Sequence, residues 1–154
     1  MSSMPMSSAD SNPSSSEARP TLLLVDDEPS ILSALRRLFR PQGYRILVAE
    51  SGAAALDLVA DDAVDLVISD MRMPGMDGAQ FLERIRHQQP HAVRILLTGY
   101  ADISSTIAAI NGGEIHRYIA KPWDDNDILL VVREALARRD LELRNRELTE
   151  LTQR

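Results

Sequence analysis

Thr21-Leu-Leu-Leu-Val25-Asp26-Asp27-Glu28-Pro29 is a short apolar run that ends abruptly in acidic residues and a proline. A run of this length with almost no polar residue is typical of a β-strand that is covered on both faces, as in a parallel sheet. Proline is well tolerated in the first turn of a helix. The stretch therefore predicts a buried strand that leads directly into a helix.

The same alternation of a short apolar run and an amphipathic segment continues along the chain. Further strands are predicted at Tyr44–Ala49, Val64–Ser69, Val93–Leu97 and Arg117–Ala120. The intervening helices are predicted to bury Ile31, Leu35, Leu38 and Phe39, then Ala54, Leu56 and Leu58, then Phe81, Leu82 and Ile85, then Ile103, Ile107 and Ile110, with a last helix over Asp127–Arg154. Five such units predict an α/β fold of flavodoxin-like type, a doubly wound parallel five-stranded sheet in a three-layer α/β/α sandwich.

Composition and charge narrow the class of protein. The chain has 154 residues, no cysteine and a formal net charge of −6, which disfavours direct binding to nucleic acid or to an anionic membrane surface. It shows neither a signal-peptide layout nor an apolar run long enough to span a bilayer, so we expect a cytoplasmic protein. Residues 1–20 are rich in Ser and Pro and are predicted to be a disordered tail before one domain at 21–139.

Polar side chains follow several of the predicted strands, at the points where those strands end. They are Asp26 and Asp27 after the first strand, Asp70 after the third, Thr98 after the fourth and Lys121 after the fifth. The carboxyl ends of parallel strands meet at one edge of the sheet, which is where such folds place their sites. Three carboxylates and one ammonium leave a charge that a divalent cation would balance, and oxygen ligands suit Mg²⁺ together with a phosphoryl group.

Several known phosphate-binding families fit these strand ends poorly. The acidic loop after the first strand would repel the phosphate of a flavin mononucleotide, and it lacks the glycines of a dinucleotide site. A haloacid dehalogenase needs its second aspartate two residues after the first, where this chain has Glu28. The chain instead resembles the receiver domains of two-component response regulators over residues 21 to 139. The resemblance rests on Leu-Val-Asp26-Asp27-Glu28, Ser69-Asp70-Met-Arg-Met-Pro74-Gly75-Met-Asp-Gly78, Thr98-Gly99 and Tyr118-Ile-Ala-Lys121-Pro122.

The resemblance implies a phosphoacceptor and a metal site. Asp70 corresponds to the carboxylate that accepts the phosphoryl group. Asp27, Asp70 and the backbone carbonyl of Arg72 would bind Mg²⁺ directly, and Asp26 would act mainly through a metal-bound water. The donor would be a histidine kinase or a phosphotransfer protein of a bacterial phosphorelay.

The resemblance also implies phosphoryl-binding and switch residues. Lys121 would pair with Asp70 and then with a phosphoryl oxygen, oriented by a cis peptide bond before Pro122. Thr98 would donate a hydrogen bond to another phosphoryl oxygen, and Tyr118 would change its exposure when Thr98 moves. The surface of the fourth helix, fifth strand and fifth helix would change as a result.

Two further positions are expected to tune how long the phosphoryl group persists. Arg72 could contact that group, and a bulky Tyr100 could hinder the attacking water, which predicts a fairly long-lived phosphoform. Two other functions stay open at this point. One is a Mg²⁺-dependent phosphohydrolase that turns over external substrates through Asp70, and the other is a docking scaffold that is never phosphorylated.

Residues 140–154 continue the helical composition beyond the expected end of a receiver. Leu141 and Leu148 lie near one face of this segment, although Arg144 interrupts the face. We interpret the extension as a helical or coiled-coil linker to an output domain or partner, and a homodimer stays open. The chain also resembles receivers attached to HD-GYP phosphodiesterases or to transcription activators, in the stretch Tyr118-Ile-Ala-Lys-Pro-Trp123.

Overall fold

A computed structural model describes residues 19–113 and 115–152 of the chain. Residues 1–18, which carry almost all of the predicted tail, lie outside the described residues, as do Glu114 and residues 153–154. The side chains of Tyr100 and of residues 149–152 lie outside them as well.

Five strands and five α-helices alternate along the described part of the chain. The strands are β1 (Thr21–Val25), β2 (Arg45–Ala49), β3 (Leu66–Asp70), β4 (Val93–Thr98) and β5 (Arg117–Ala120). The helices are α1 (Pro29–Phe39), α2 (Gly52–Asp61), α3 (Gly78–Gln88), α4 (Ile103–Asn111) and α5 (Asp125–Thr152). Element bounds differ from the predicted ones by a few residues at most. The last two residues of the predicted final helix lie beyond the described range.

The strands form one parallel sheet in the order β2-β1-β3-β4-β5. Leu22 pairs with Leu66 between β1 and β3, so these neighbouring strands end side by side. The chain leaves this central pair in opposite directions, which opens a crevice at the carboxyl ends of β1 and β3. The predicted fold class is confirmed.

The core has two layers because successive strand residues point to opposite faces. Leu22, Leu24 and Ile68 pack on the face that α1 and α5 cover. Leu23 and Val67 pack on the face that α2, α3 and α4 cover. Both faces of β1 and β3 are therefore dry, which is why these strands are apolar throughout.

In two helices the most deeply buried residues are not the ones predicted. In α2 the buried residues are Gly52, Ala55 and Val59, while Ala54 is exposed. In α4 they are Thr106 and Ala109, while Ile107 is 46% exposed. Leu56 and Leu58 of α2 and Ile110 of α4 pack against the core as predicted, so the prediction was wrong only for Ala54 and Ile107. Small residues at the most buried positions let these helices lie close to the sheet.

The loop between β3 and α3 is held by local hydrogen bonds. Asp77 caps α3 by accepting from the backbone N–H of Gln80, whose side chain in turn accepts from the backbone N–H of Asp77. Gly75 in this loop has a φ of 80°, a conformation that favours glycine. Among the described residues, every helix is too short or too polar to cross a lipid bilayer.

Candidate acidic site at the carboxyl edge of the sheet

Three aspartates converge at the crevice between β1 and β3. Asp26 and Asp27 follow β1 directly, and Asp70 is the last residue of β3. One carboxylate oxygen from each lies within 4.8 Å of the other two. Asp26 and Asp70 are buried, whereas Asp27 is exposed, so the cluster opens to solvent on one side. The structure thus brings together the three carboxylates that the sequence analysis singled out.

Asp26 is the most deeply buried of the three aspartates. Its Oδ1 accepts a hydrogen bond of 2.9 Å from the backbone N–H of Glu28. Its Oδ2 is buried and has no hydrogen-bond partner among the described residues. Burial raises the pKa of Asp26 to about 6, and the charges of Asp70 and Asp27 add to the rise, although the Glu28 hydrogen bond and Lys121 oppose it.

Lys121 extends from the loop after β5 into the cluster. Its Nζ lies 2.6 Å from Asp70 Oδ1 and 3.8 Å from Asp26 Oδ2, so only the contact with Asp70 has hydrogen-bond length. Burial lowers the pKa of Lys121, but the hydrogen bond and charge of Asp70 more than offset this, and the net shift is upward. The peptide bond between Lys121 and Pro122 is cis, as predicted.

The donor set of this cluster fits a divalent cation. It offers hard carboxylate oxygens only, and the orphaned Oδ2 of Asp26 is a buried acceptor that a cation or its water would satisfy. The three carboxylates carry −3 when ionised and Lys121 carries +1, so a divalent cation brings the sum to zero. Mg²⁺ suits such a site because it keeps several waters and binds one or two carboxylates with a phosphate.

Thr98 ends β4 next to the cluster and is 1% exposed. Its hydroxyl donates to the carbonyl of Gly99 at 3.2 Å and accepts from the hydroxyl of Thr106 at 3.3 Å. The backbone N–H of Lys121 donates to the carbonyl of Thr98 at 2.8 Å, which ties the lysine loop to the end of β4. Tyr118, on the edge strand β5, is 37% exposed.

Arg72 is engaged with another loop of the same edge. Its Nε lies 2.8 Å from Asp102 Oδ2 and its Nη2 lies 3.0 Å from Asp102 Oδ1, a bidentate pair between the loops that follow β3 and β4. This pair holds the pKa of Asp102 below its usual value and raises that of Arg72. The backbone of Tyr100 lies in the same β4–α4 loop, and its side chain is outside the described part.

Sequence reasoning missed two residues of this region, Asp102 and Thr106. Asp102 is 30 residues from Arg72, and no local pattern links an exposed arginine to an aspartate at that separation. Thr106 follows Ile103 by three residues, so a helix places both on neighbouring positions of one face. That spacing indicates that Thr106 faces the core, although a polar residue is a weaker indication of a buried helix face than an isoleucine.

Comparison with known proteins gives consistent matches over most of the chain. A family model described as the response regulator receiver domain matches residues 22–133. The hydrogenase transcriptional regulatory protein HoxA of Cupriavidus necator is 37% identical over 138 residues, which are 84% of this chain and 28% of that protein. The transcriptional regulatory protein GlrR of Escherichia coli is 39% identical over 75% of this chain and 26% of its own length.

Solved structures agree with these relatives. The signal receiver domain of an HD domain-containing protein from Pseudomonas fluorescens is 46% identical, with a TM-score of 0.77 over 82% of this chain and 93% of that one. The chain spans about a quarter of the length of the curated relatives it matches.

Proposed function

The chain belongs to the family of response regulator receiver domains, and from this we propose that it is a switch controlled by phosphorylation of Asp70. A histidine kinase or phosphotransfer protein supplies the phosphoryl group, and Mg²⁺ is required. The phosphorylated chain then controls an output domain or a partner protein. The observation that carries the proposal is the 2.6 Å contact of Lys121 with Asp70 inside the three-aspartate cluster.

Phosphoryl transfer to Asp70 needs positioning and positive charge more than covalent chemistry from the protein. A carboxylate oxygen of Asp70 forms a bond to phosphorus, and the bond from phosphorus to the donor's leaving group breaks, with the electron pair leaving on that group. The ammonium of Lys121 moves from pairing with Asp70 to pairing with a phosphoryl oxygen. Its raised pKa keeps it charged for both roles.

The metal would be held by Asp27, Asp70 and the backbone carbonyl of Arg72, with Asp26 acting through a water. Bound Mg²⁺ supplies a second positive charge for the equatorial oxygens of the phosphoryl group. The unpartnered Oδ2 of Asp26 supports this assignment because a buried acceptor of this kind needs a donor or a cation.

The switch follows from the change in charge at Asp70. A carboxylate of −1 becomes an acyl phosphate near −2, with new acceptor oxygens. The hydroxyl of Thr98 turns from the Gly99 carbonyl to one of these oxygens, and Tyr118 changes its exposure as Thr98 moves. The surface formed by α4, β5 and α5 is the part of the molecule that changes.

Phosphoryl uptake from a small donor tests the acceptor. We expect incubation with acetyl phosphate and Mg²⁺ to add the mass of one phosphoryl group to the intact chain. Asp70→Asn should abolish the addition, whereas Asp57→Asn, at an exposed position on α2, should leave it unchanged. Uptake that survives in the Asp70→Asn variant would overturn the assignment, and no uptake at all in the native chain would favour the scaffold.

The stoichiometry of the same reaction separates a switch from a hydrolase. A switch accumulates about one phosphoryl group for each chain and loses it slowly, whereas a phosphohydrolase releases phosphate from many phosphoesters with turnover. The relatives are named as transcriptional regulatory proteins, which favours the switch.

We propose that Arg72 and Tyr100 set the lifetime of the phosphoform. A tyrosine side chain in the β4–α4 loop would hinder an attacking water, and Arg72 would contact the phosphoryl group once released from Asp102. Tyr100→Ala should therefore accelerate phosphoryl loss. An unchanged or slower rate would count against shielding by Tyr100.

The output is proposed from the relatives and from α5. Transcriptional control and an HD-domain partner are the outputs that the relatives' names suggest. We propose one receiver unit at residues 21–139, with residues 140–154 acting as a linker to an output domain, a partner or a second copy. The net charge of −6 supports a role without direct contact to nucleic acid or to an anionic membrane surface. We propose that this role is cytoplasmic.

A further inference from the structure

Thr106 is a buried polar residue that the proposed chemistry does not use. It lies on the inward face of α4, is fully buried, and its hydroxyl donates to the hydroxyl oxygen of Thr98 at 3.3 Å. A threonine that merely filled space could be replaced there by valine, which has the same shape. The contact with Thr98 gives the hydroxyl a specific partner at the edge of the site.

Thr98 has a single hydroxyl proton, and the structure assigns it to the carbonyl of Gly99. A phosphoryl oxygen can receive that proton only if the Thr98 hydroxyl turns or moves away from Gly99. If the Thr98 side chain moves, its oxygen can continue to accept a hydrogen bond from Thr106 only if Thr106 moves by a similar distance. The two hydroxyls therefore form a short relay from the site to α4.

A buried hydroxyl that loses its partner is destabilising, because no water replaces the lost hydrogen bond. Thr106 is 0% exposed, so a displacement of Thr98 leaves two outcomes. Either the hydroxyl of Thr106 gives up this partner and turns to a backbone carbonyl one turn earlier in the chain, or α4 moves with Thr98. Ile107, the next residue on α4, is 46% exposed, so such a movement would be visible at the protein surface.

We infer that Thr106 is a positioning residue that makes α4 follow the hydroxyl of Thr98 when Asp70 is phosphorylated. This inference rests on the proposed function and names the side chain through which the site reaches α4. The coupling depends on the hydroxyl of Thr106 and not on its volume. Valine should break the relay and serine should preserve it.

Hydrogen–deuterium exchange of residues 103–111 tests the inference in the full chain. Exchange is measured with and without Mg²⁺ and beryllofluoride, a mimic of the acyl phosphate, for the native chain, Thr106→Val and Thr106→Ser. Ser105→Ala removes an exposed hydroxyl one residue away and is the matched control. Thermal melting of each variant confirms that it is folded.

We expect beryllofluoride to change the exchange of α4 in the native chain, in Thr106→Ser and in Ser105→Ala. In Thr106→Val the change should be smaller by about threefold or more, while phosphoryl uptake at Asp70 stays within about twofold of native. Selective loss of the α4 response, rescued by serine, is a result that a space-filling role would not produce.

Other results would overturn the inference. Thr106→Val responding as the native chain does, or Thr106→Ser failing as valine does, would show that the hydroxyl carries no coupling. A native chain that takes up phosphoryl at Asp70 without any response in α4 would refute the relay and leave the proposed function standing. Absence of uptake in the native chain would refute the proposed function itself.

Discussion

At the scale of single residues, the burial of the Asp26 carboxylate carries an electrostatic cost. Its pKa is raised from 3.8 to about 6, mainly by burial. The folded chain binds the proton of the Asp26 carboxyl group more tightly than the unfolded chain does. The stability that this proton contributes is therefore fully present below about pH 4 and is lost as pH rises through about 6. In metal-free protein we expect Asp26 to lower the free energy of unfolding by about 2 kcal/mol over this window, a value discounted for the open side of the pocket.

Asp26→Asn isolates this contribution from that of the other carboxylates. Urea unfolding between pH 4 and 7 should show the variant gaining on the native chain as pH rises, with the two converging toward about pH 4. Saturating Mg²⁺ should stabilise the native chain at pH 7 more than the variant. A difference between the two proteins that does not depend on pH would contradict the raised pKa.

The pair between Arg72 and Asp102 predicts a dependence of phosphoform lifetime on Asp102. In the structure the guanidinium is committed to Asp102 through two hydrogen bonds. Asp102→Asn should free it to contact the phosphoryl group, and we expect phosphoryl loss to slow by about two- to fivefold because charge-assisted bonds of this type are strong.

If this explanation is right, the slower phosphoryl loss in Asp102→Asn depends on the side chain of Arg72. Asp102→Asn made in an Arg72→Ala background should leave the rate of phosphoryl loss at that of Arg72→Ala alone, and Asp57→Asn should behave as native. The rate of phosphoryl loss in each variant is measured from the decay of radiolabelled phosphoprotein. A slowing of equal size in both backgrounds would mean that Asp102 acts without Arg72.

At the scale of elements, the backbone at the end of β3, where Asp70 lies, depends on Gly78 at the start of α3. A Cβ at Gly78 would overlap the carbonyl oxygen of Asp70 and lie 2.9 Å from the Cα of Met71. Gly78→Ala should therefore displace the backbone of the acceptor. We expect a loss of about 1–3 kcal/mol in the free energy of unfolding and a clear fall in phosphoryl uptake.

Gly75→Ala, in the loop between β3 and α3, is the control for this prediction. Gly75 has open space around its Cβ position but a φ of 80°, so alanine there adds backbone strain without crowding Asp70. Urea unfolding should report some destabilisation in both variants, and uptake should fall only in Gly78→Ala. Equal uptake by the two variants would argue against the close approach at Gly78.

Local elements were predicted well where their determinants are local. Each predicted strand is a single short apolar run, and its observed bounds differ from the predicted ones by a few residues at most. The inward face of α4 could not be predicted in the same way. Which side of that helix meets β4 depends on how closely the two approach, and the small residues Thr106 and Ala109 permit an approach that Ile107 would prevent.

At the scale of the whole molecule, the topology explains why the sequence predicted the site so well. Parallel strands with helical crossovers bring their carboxyl ends to one edge, so Asp26, Asp70 and Lys121 could be placed together without a structure. The contact between Arg72 and Asp102 could not, because it depends on the paths of two loops. The hydroxyl relay through Thr106 depends likewise on the register between α4 and β4.

The length of α5 predicts where the receiver unit ends. Arg139 Nη1 lies 2.7 Å from Asp65 Oδ1 and anchors the helix to the start of β3, whereas Leu141 and Leu148 beyond it are 57% and 61% exposed. A helical segment of this length is marginal without packing, so we expect amides of residues 142–152 to exchange about a hundredfold faster than those of 128–139.

Arg139→Gln should extend fast exchange toward Leu136, and Arg138→Gln, at an exposed position, should not. Equal protection on both sides of Arg139 in dilute monomer would place the boundary elsewhere, and protection that grows with concentration would show a second copy covering the two leucines.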